Sequence, residues 1–215
     1  MSSPVVANAR PAAADPDSDE VLLARYRAGD EEAFAELYRR HRVGLYRFIH
    51  GLCSSVARSD EIFQETWFAL IRSDAMPDGR ARFKTWLYQI ARHRLIDQWR
   101  RDEGAMEAFD EAEHTLLDAD GNNVAETPET SALRAEQLRQ IAAALETLPL
   151  PQREVFLLRA HAEMEFAEIA ALTGTPLEAI KSRYRYALAR LRQCLRLLSP
   201  AGASASAESE LKVPA

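Results

Sequence analysis

The chain has 215 residues, of which 47% are hydrophobic, and a net charge of −6 at pH 7. That length accommodates one large or two small domains, and no segment approaches the roughly 20 consecutive apolar residues that span a bilayer. The first residues lack the apolar segment of a secretory signal, and the two cysteines, Cys53 and Cys194, do not form a disulfide or zinc-binding pattern. We therefore expect a cytoplasmic protein without membrane insertion, metal or cofactor.

Charge is segregated along the chain. Residues 102–129 hold ten acidic side chains and no Lys or Arg, and removing those ten negative charges from the total of −6 leaves +4. The basic side chains concentrate in residues 80–101 and 173–196. The negative net charge of the chain argues against a nucleic-acid partner. The two basic stretches, separated by a polyanionic one, are the stronger indication and favour such a partner.

The composition predicts an all-α protein of two small helical domains joined by an acidic, flexible linker. Ala, Leu, Arg and Glu are abundant and favour helices, whereas Gly is scarce. A long structureless loop is uncommon inside one compact domain, which makes the acidic stretch a linker. The predicted divisions are a disordered tail over 1–18, a first domain over 19–101, the linker over 102–130, a four-helix domain over 131–198 and a second disordered tail over 199–215.

Three helices are predicted in the first domain. The first follows Asp30, a suitable N-cap, and carries apolar residues at helical spacing as far as Leu52. The second is expected to begin at Ser59 or Asp60, with an apolar side formed by Ile62, Phe63, Trp67, Leu70 and Ile71. A turn-rich stretch over 73–79 ends it, and a third helix is predicted over about 81–101.

Four helices are predicted in the second domain. The first has an apolar face of Leu133, Leu138, Ile141, Leu145 and Leu148, and Pro149 and Pro151 end it. The others are expected over about 152–161, 166–172 and 176–197. Gly174 tolerates a positive φ in the short turn before the last helix, and Thr175 is its predicted N-cap, followed by Pro176. A short helix, a glycine turn and a basic second helix form the helix-turn-helix pattern.

The last helix presents two distinct faces. Ile180, Tyr184, Ala187, Leu191 and Leu195 fall in one narrow sector at 100° per residue, which is predicted to face the core. The opposite sector holds Glu178, Ser182 and Arg185, with Lys181 and Tyr186 at its flanks. Because the N-terminal half of this helix enters the major groove in the motif, these side chains are candidates for DNA contacts. Arg183 lies nearer the core edge, which favours a phosphate contact.

The helix over residues 83–101 mixes aromatic and basic side chains. Helical spacing places Trp86, Gln89, His93, Asp97 and Arg100 on one stripe beside an apolar face. A ring for stacking, hydrogen-bonding groups and a cation suit a nucleic acid, whereas a core Trp beside a solvated face is the alternative explanation. His93 has no second ligand at metal-binding spacing on its face.

Three strings in this order resemble the extracytoplasmic-function (ECF) sigma factors: residues 60–66, residues 83–101, and residues 148–159 together with 168–170 and 180–183. The resemblance covers about residues 20–101 and 131–197. It implies a non-enzymatic initiation factor that binds the clamp and flap regions of core RNA polymerase and directs promoter recognition and DNA melting. It also implies promoter DNA and an anti-sigma factor as partners, and a monomer when free.

The resemblance implies a role for each string. It assigns core-polymerase binding to Asp60, Glu61, Gln64 and Glu65. It assigns minus-ten promoter binding to Lys84, Trp86, Gln89, His93, Asp97 and Arg100. It assigns minus-thirty-five promoter binding to Glu178, Lys181, Ser182, Arg183 and Arg185. The stretch 73–82 corresponds to a loop that captures a flipped base, and the acidic linker corresponds to a connector that threads the polymerase cleft.

The sequence departs from the family pattern at three places. His93 stands where the family often has Asn, Glu165 where it commonly has a Ser or Thr cap, and Glu178-Ala179 where it usually has Gly-Thr. The resemblance therefore does not extend to a particular promoter sequence.

Two other functions compete with this one. A helix-turn-helix repressor or activator would account for residues 131–197 but leaves the aromatic helix and the acidic linker without a role. An enzyme is disfavoured because the sequence carries no phosphate loop, nucleophile elbow or HExxH pattern.

Overall fold

The computed structural model of the protein describes residues 18–53, 55–73, 82–104 and 128–198. Regular secondary structure within these ranges is entirely helical, which confirms the predicted fold class. The helices described are α1 (Asp19–Arg27), α2 (Glu31–His50), α3 (Val56–Arg72), α4 (Phe83–Gly104), α5 (Pro128–Glu146), α6 (Leu150–His161), α7 (Phe166–Thr173) and α8 (Leu177–Leu198). We refer to α1–α4 as the first block and to α5–α8 as the second block.

Side-chain caps set where the first two helices begin. The Asp30 carboxylate accepts hydrogen bonds from the backbone N–H groups of Glu32 and Ala33, at 3.1 and 3.3 Å, which confirms the predicted cap of α2. Ser18 caps α1 in the same way. The apolar pattern of the sequence does not indicate α1. This helix has only nine residues, and its two buried leucines are adjacent in sequence instead of lying at helical spacing.

Helix α3 begins earlier than predicted. Ser55 is the N-cap, and Ser59 lies one turn inside the helix, where its hydroxyl donates to the Ser55 carbonyl oxygen at 2.8 Å. The prediction that Ser59 or Asp60 caps this helix is therefore wrong, since a serine hydroxyl inside a helix can also bond the carbonyl oxygen four residues back. Ile71 was predicted on the apolar side, but it is 40% exposed.

The turns of the second block follow the predicted chemistry except before α8, which begins at Leu177, so that Pro176 and not Thr175 stands at the N-cap position. Pro151 lies in the first turn of α6, where its missing N–H group costs nothing. Gly174 ends α7 with a φ of 65°, a left-handed conformation that glycine adopts without strain. The carboxylate of Glu168 accepts a hydrogen bond from the Glu165 backbone N–H at 2.8 Å, so a Ser or Thr cap is not required there.

Helix α5 buries a narrower face than predicted. Ala144 and Leu148 pack with Ala187 and Leu191 of α8 in a small cluster of their own. Ile141, which was predicted on the core face, is 42% exposed. The prediction for Ile141 fails because, among its described residues, α5 packs mainly against α8, and covering that neighbour requires only a narrow stripe.

Several predicted segments lie outside the described residues. They are residues 1–17 and 199–215 of the predicted tails, the loop over 74–81 that contains most of the predicted base-capturing stretch, and residues 105–127 of the predicted linker. Helix α4 continues to Gly104 and α5 starts at Pro128, so helical structure extends into both ends of the stretch 102–130.

The two blocks share one hydrophobic core. Phe48 of α2, Leu95 of α4 and Leu157 of α6 belong to the same buried cluster, and α2 packs directly on α6. His161 ends α6 at this junction, where burial, and secondarily Arg47, lower its pKa to about 4. The imidazole is therefore neutral in the folded protein at neutral pH.

The low pKa of His161 predicts a pH dependence of folding. The unfolded chain, with an ordinary histidine pKa of 6.5, takes up the proton before the folded chain does, so stability is lost as the pH falls from about 6.5 to about 4. We expect His161→Gln to lose less stability than the wild type between about pH 7 and about pH 5. Urea denaturation at both pH values measures this, and equal losses in the two proteins would contradict the assignment.

Candidate nucleic-acid interface

Helix α3 presents the predicted acidic residues on its solvent side. Asp60, Glu61 and Gln64 are exposed, and Glu65 is half-buried. Glu65 lies 3.7 Å from the Arg94 guanidinium of α4. Within the described ranges, the side chains of Glu61 and Gln64 make no hydrogen bond or ion pair. Glu61 and Gln64 can therefore bind an external partner without losing a contact inside the chain.

Asp60 is held by its neighbour on α2. The Tyr46 hydroxyl donates a hydrogen bond to the Asp60 carboxylate at 2.9 Å. Burial, with a smaller contribution from this hydrogen bond, raises the pKa of Tyr46 to about 12, so the phenol keeps its proton at neutral pH. Asp60 thus has a structural contact as well as an exposed position.

The same helix exposes two large apolar side chains that sequence reasoning missed. Phe68 is 54% exposed, and both it and Ile71 continue the face that begins with Glu61 and Gln64, at spacings of four and seven residues from Gln64. The Arg72 guanidinium lies 5.9 Å from the centre of the Phe68 ring. Ile71 was predicted on the apolar side of α3 and Phe68 was assigned no role, so the exposure of both side chains is a finding of the structure.

Helix α4 presents the predicted polar stripe to solvent. Gln89, His93, Asp97 and Arg100 are all exposed along about three turns. Trp86 continues the stripe but is half-buried, with its ring edge-on to Phe83 at a centroid distance of 6.4 Å. Lys84 lies apart from the stripe and lines a cleft of about 760 Å³ between the two blocks.

The opposite side of α4 fixes this stripe in place. Leu87, Ala91 and Leu95 are fully buried. The start of the helix is tied to α1, because the Phe83 backbone N–H donates to the Glu20 carboxylate at 3.0 Å. The stripe therefore stands on a rigid support.

Helix α8 has the two faces predicted from its sequence. Ile180, Ala187 and Leu191 are buried, and Tyr184 is half-buried against Phe156 and Phe166. Leu195 belongs to a stretch whose side chains lie outside the description. On the other face Glu178, Lys181, Arg185 and Tyr186 are exposed, while Ser182 and Arg183 are half-buried.

The outer face of α8 is internally paired. Lys181 donates to Glu178 at 2.7 Å, and Arg183 donates to the Thr175 hydroxyl at 3.4 Å. The Arg185 guanidinium lies 5.5 Å from the centre of the Tyr186 ring. These are surface contacts of small energy, which a DNA phosphate or base edge can replace.

The described part of the chain holds no cluster of three or more His, Cys, Asp or Glu side chains suited to a metal ion. Neither Cys53 nor Cys194 forms a disulfide, and both are half-buried. None of the helices described has the length and apolar character needed to span a membrane.

Two family models match the chain. The model for sigma-70 region 2 matches residues 37–104, and the model for sigma-70 region 4 matches residues 138–200. The first match contains α4 with its polar stripe, and the second contains the helix-turn-helix of α7 and α8. Together the two matches cover more than half of the chain.

Relatives align over most of the chain. The ECF RNA polymerase sigma factor RpoE of Cereibacter sphaeroides is 32% identical over 165 residues, which are 76% of this chain and 87% of that protein. The RNA polymerase sigma factor NccH of Alcaligenes xylosoxydans xylosoxydans is 28% identical over 188 residues, 85% of this chain and 97% of that protein.

Solved structures share the fold. The structure of CnrH in complex with the cytosolic domain of CnrY has a TM-score of 0.57 at 27% identity, and the match covers 84% of this chain and 99% of that one. The sigma factor RpoE of Bartonella quintana, solved in complex with the anti-sigma factor NepR, has a TM-score of 0.59 at 22% identity. That match covers 76% of this chain and 97% of that one.

Proposed function

Because the chain belongs to the ECF RNA polymerase sigma factors, we propose that its two blocks divide promoter recognition between them. The chain is a promoter-recognising sigma factor that acts in transcription initiation. In our proposal the first block, within residues 19–101, binds core RNA polymerase and the minus-ten element. The second block, within residues 131–198, binds the minus-thirty-five element, and residues 102–130 link the two.

We propose that α3 is the contact with the polymerase clamp. Asp60, Glu61, Gln64 and Glu65 supply charge and hydrogen-bonding groups, and Phe68 supplies the exposed aromatic ring that binding hot spots commonly contain. Glu61 and Gln64 carry most of the polar contact in this proposal, because Asp60 and Glu65 already have partners inside the chain.

The exposed stripe on α4 is the observation that carries the minus-ten proposal. A row of Gln89, His93, Asp97 and Arg100 on a buried apolar support offers hydrogen bonds to bases and charge to phosphates. Trp86 stacks on an unpaired base at one end of the stripe. Lys84 adds positive charge from the neighbouring cleft.

The outer face of α8 is proposed to read the minus-thirty-five element. Glu178, Lys181, Ser182 and Arg185 lie in the half of the helix that a major groove receives. Arg183 is half-buried at the edge of this face and is assigned to a phosphate.

Arg185→Ala is expected to cost about 1–3 kcal/mol at one promoter position and to relax discrimination there, as for a contact with a base edge. Arg183→Ala should weaken all promoter sequences alike and reduce the salt dependence. The measurement is transcription from a library of minus-thirty-five variants. Arg192→Ala, which removes an exposed arginine farther along α8, is the matched control. Uniform losses for Arg185→Ala would reassign it to the phosphates.

The proposal also covers partners and location. The chain works in the cytoplasm, catalyses no reaction of its own, uses no cofactor and is a monomer when free. Its partners are the clamp and flap regions of core RNA polymerase, promoter DNA and an anti-sigma factor. CnrH, solved with the cytosolic domain of CnrY, supports a partner that binds the sigma factor itself.

Cross-linking within the open promoter complex tests the division between the blocks. A photoreactive group on a single cysteine at Gln89 of α4 should cross-link near minus ten, and one at Ala189 of α8 near minus thirty-five. Both positions are exposed. Cross-links from both cysteines to one promoter element would rule out the proposed division.

A further inference from the structure

A cleft of about 760 Å³ lies between the two blocks, and most of the side chains that line it are charged or polar. Its volume is that of a small-molecule site, which is roughly 300–1,000 Å³. Helices α1 and α2, the start of α4 and the end of α6 with the residues that follow it all contribute to the lining. The promoter-binding function proposed above uses only Lys84 among these residues, so it does not explain the cleft as a whole.

The acidic residues that α1 contributes to the cleft already have partners. The His41 imidazole lies 2.7 Å from the Asp19 carboxylate, and the Arg40 guanidinium lies 3.3 Å from it. The Glu20 carboxylate accepts a hydrogen bond from the Phe83 backbone N–H at 3.0 Å. These contacts tie α1 to α2 and to α4, so this side of the cleft is held in place and its charges are neutralised from within.

Two opposite charges line the cleft without pairing. Within the described ranges, the side chains of Lys84 on α4 and Glu163 after α6 make no hydrogen bond or ion pair, with each other or with any other residue. Tyr88 lies one turn after Lys84. Burial, and secondarily the charge of Glu163, raise the pKa of the Tyr88 hydroxyl far above its usual range, so Glu163 is near that ring. The two charges therefore flank one tyrosine but are too far apart to pair directly.

The backbone of Glu163 is strained. Its φ is 51°, a left-handed conformation that, in the part of the chain that the structure describes, no other residue except glycine adopts at positive φ. A residue with a Cβ atom is disfavoured there. The exposed Glu163 side chain makes no internal contact that would offset the strain. Strained residues cluster at ligand-binding sites, and this one points to a contact with a molecule outside the chain.

His161 adds a neutral group to the same cleft. It precedes Glu163 by two residues and, at neutral pH, is uncharged for the reason given above. Its ring nitrogens have no hydrogen-bond partner among the described residues. Since a neutral imidazole offers one donor and one acceptor, the cleft presents an ammonium group, a carboxylate and a neutral hydrogen-bonding ring, all without partners.

We propose that this cleft binds a small zwitterion, namely an amino acid or a short peptide with free ends. The ligand carboxylate pairs with Lys84, the ligand ammonium pairs with Glu163, and His161 hydrogen-bonds to polar atoms between them. A ligand with one charge would leave either Lys84 or Glu163 without a partner. The site gives the sigma factor a small-molecule ligand, which is a property separate from promoter recognition.

Titrations of the isotope-labelled full-length chain, followed by amide NMR shifts, test the ligand class. The probes are free alanine, the dipeptide dialanine, N-acetyl-dialanine, which lacks the ammonium group, and dialaninamide, which lacks the carboxylate. At least one of the two zwitterions should shift the amides of Lys84 and Glu163. Each blocked dipeptide should bind at least about tenfold more weakly than the tighter zwitterion, because a lost hydrogen bond to a charged group costs that factor or more. The comparison of alanine with dialanine shows whether one residue or a peptide fits.

Three substitutions test the assigned contacts. Lys84→Gln and Glu163→Gln each remove one charge and should weaken binding of the zwitterion at least about tenfold. Glu136→Gln is the matched control, because Glu136 pairs with Arg139 inside α5, at 2.9 Å, and does not line the cleft. Its affinity for the zwitterion should equal that of the wild type.

Glu163→Gly separates a binding role from a structural one. Glycine adopts the left-handed conformation without strain. Without ligand, this variant should therefore melt about 2–4 °C higher than the wild type, although it binds the zwitterion as weakly as Glu163→Gln does. A lower melting temperature would show that the Glu163 side chain serves the fold.

Several results would overturn the site. They are the absence of binding by both alanine and dialanine, equal binding of the blocked dipeptides, and undiminished binding by Lys84→Gln and Glu163→Gln. Amide shifts that sodium chloride reproduces would show that water and salt alone fill the cleft. Transcription by the ligand-free chain tests the proposed function separately, so failure of one proposal is distinguishable from failure of the other.

Discussion

Glu61→Lys is expected to weaken binding to core RNA polymerase on the order of 100-fold, because placing a like charge opposite a basic surface costs several kcal/mol. Glu61 is exposed and, within the described ranges, has no internal partner, so reversing its charge leaves the fold of α3 intact. Asp60 and Glu65 are less suitable sites, because they contact Tyr46 and Arg94. Binding is measured by fluorescence anisotropy of labelled chain at moderate salt.

Two comparisons make this result specific. Glu136→Lys, which makes the same charge change on α5, should bind as the wild type does. Raising the salt concentration should narrow the difference between the wild type and Glu61→Lys, since exposed charges are screened. Equal affinities of the wild type and Glu61→Lys at moderate salt would place the polymerase contact on another surface.

Trp86→Ala is expected to destabilise the open complex by up to about 3 kcal/mol. The affinity of initial binding to duplex promoter should change little. Stacking on an unpaired base is available only after the strands separate, so the loss appears at that step. Permanganate footprints of thymines in the open complex, quantified against duplex binding in the same reaction, measure the two steps separately.

The half-buried position of Trp86 calls for a matched control. Trp99 is on the same helix, is also half-buried against the core and lies away from the stripe. Trp99→Ala also removes a half-buried indole from α4, but one that lies away from the stripe. If both variants lose open complexes in proportion to their loss of thermal stability, Trp86 acts through the fold and not through the bases.

The sequence was sufficient for features governed by local chemistry. The cap at Asp30, the glycine turn at Gly174 and the two faces of α8 follow from residue type and helical spacing, and the structure has all three. Likewise Gln89, His93, Asp97 and Arg100 are exposed as their spacing predicts.

Features that depend on distant neighbours could not be predicted. Ile71 and Ile141 are apolar residues at helical spacing, but whether a second helix covers them is decided by tertiary packing. The pairing of Arg92 with Glu154 joins residues 62 positions apart, and nothing local to either indicates it. In the sequence alone, Gly44 is an unfavourable residue inside helix α2. The structure explains it, because the carbonyl oxygen of His161 lies where a Cβ atom would be.

Reconstituted transcription tests the central claim most directly. Core RNA polymerase is incubated with sheared genomic DNA, with and without the chain, and the 5′ ends of the RNA products are sequenced. The chain should produce a discrete set of start sites, absent with core enzyme alone, each preceded by common minus-ten and minus-thirty-five sequences. An identical pattern of RNA ends with and without the chain would contradict the account.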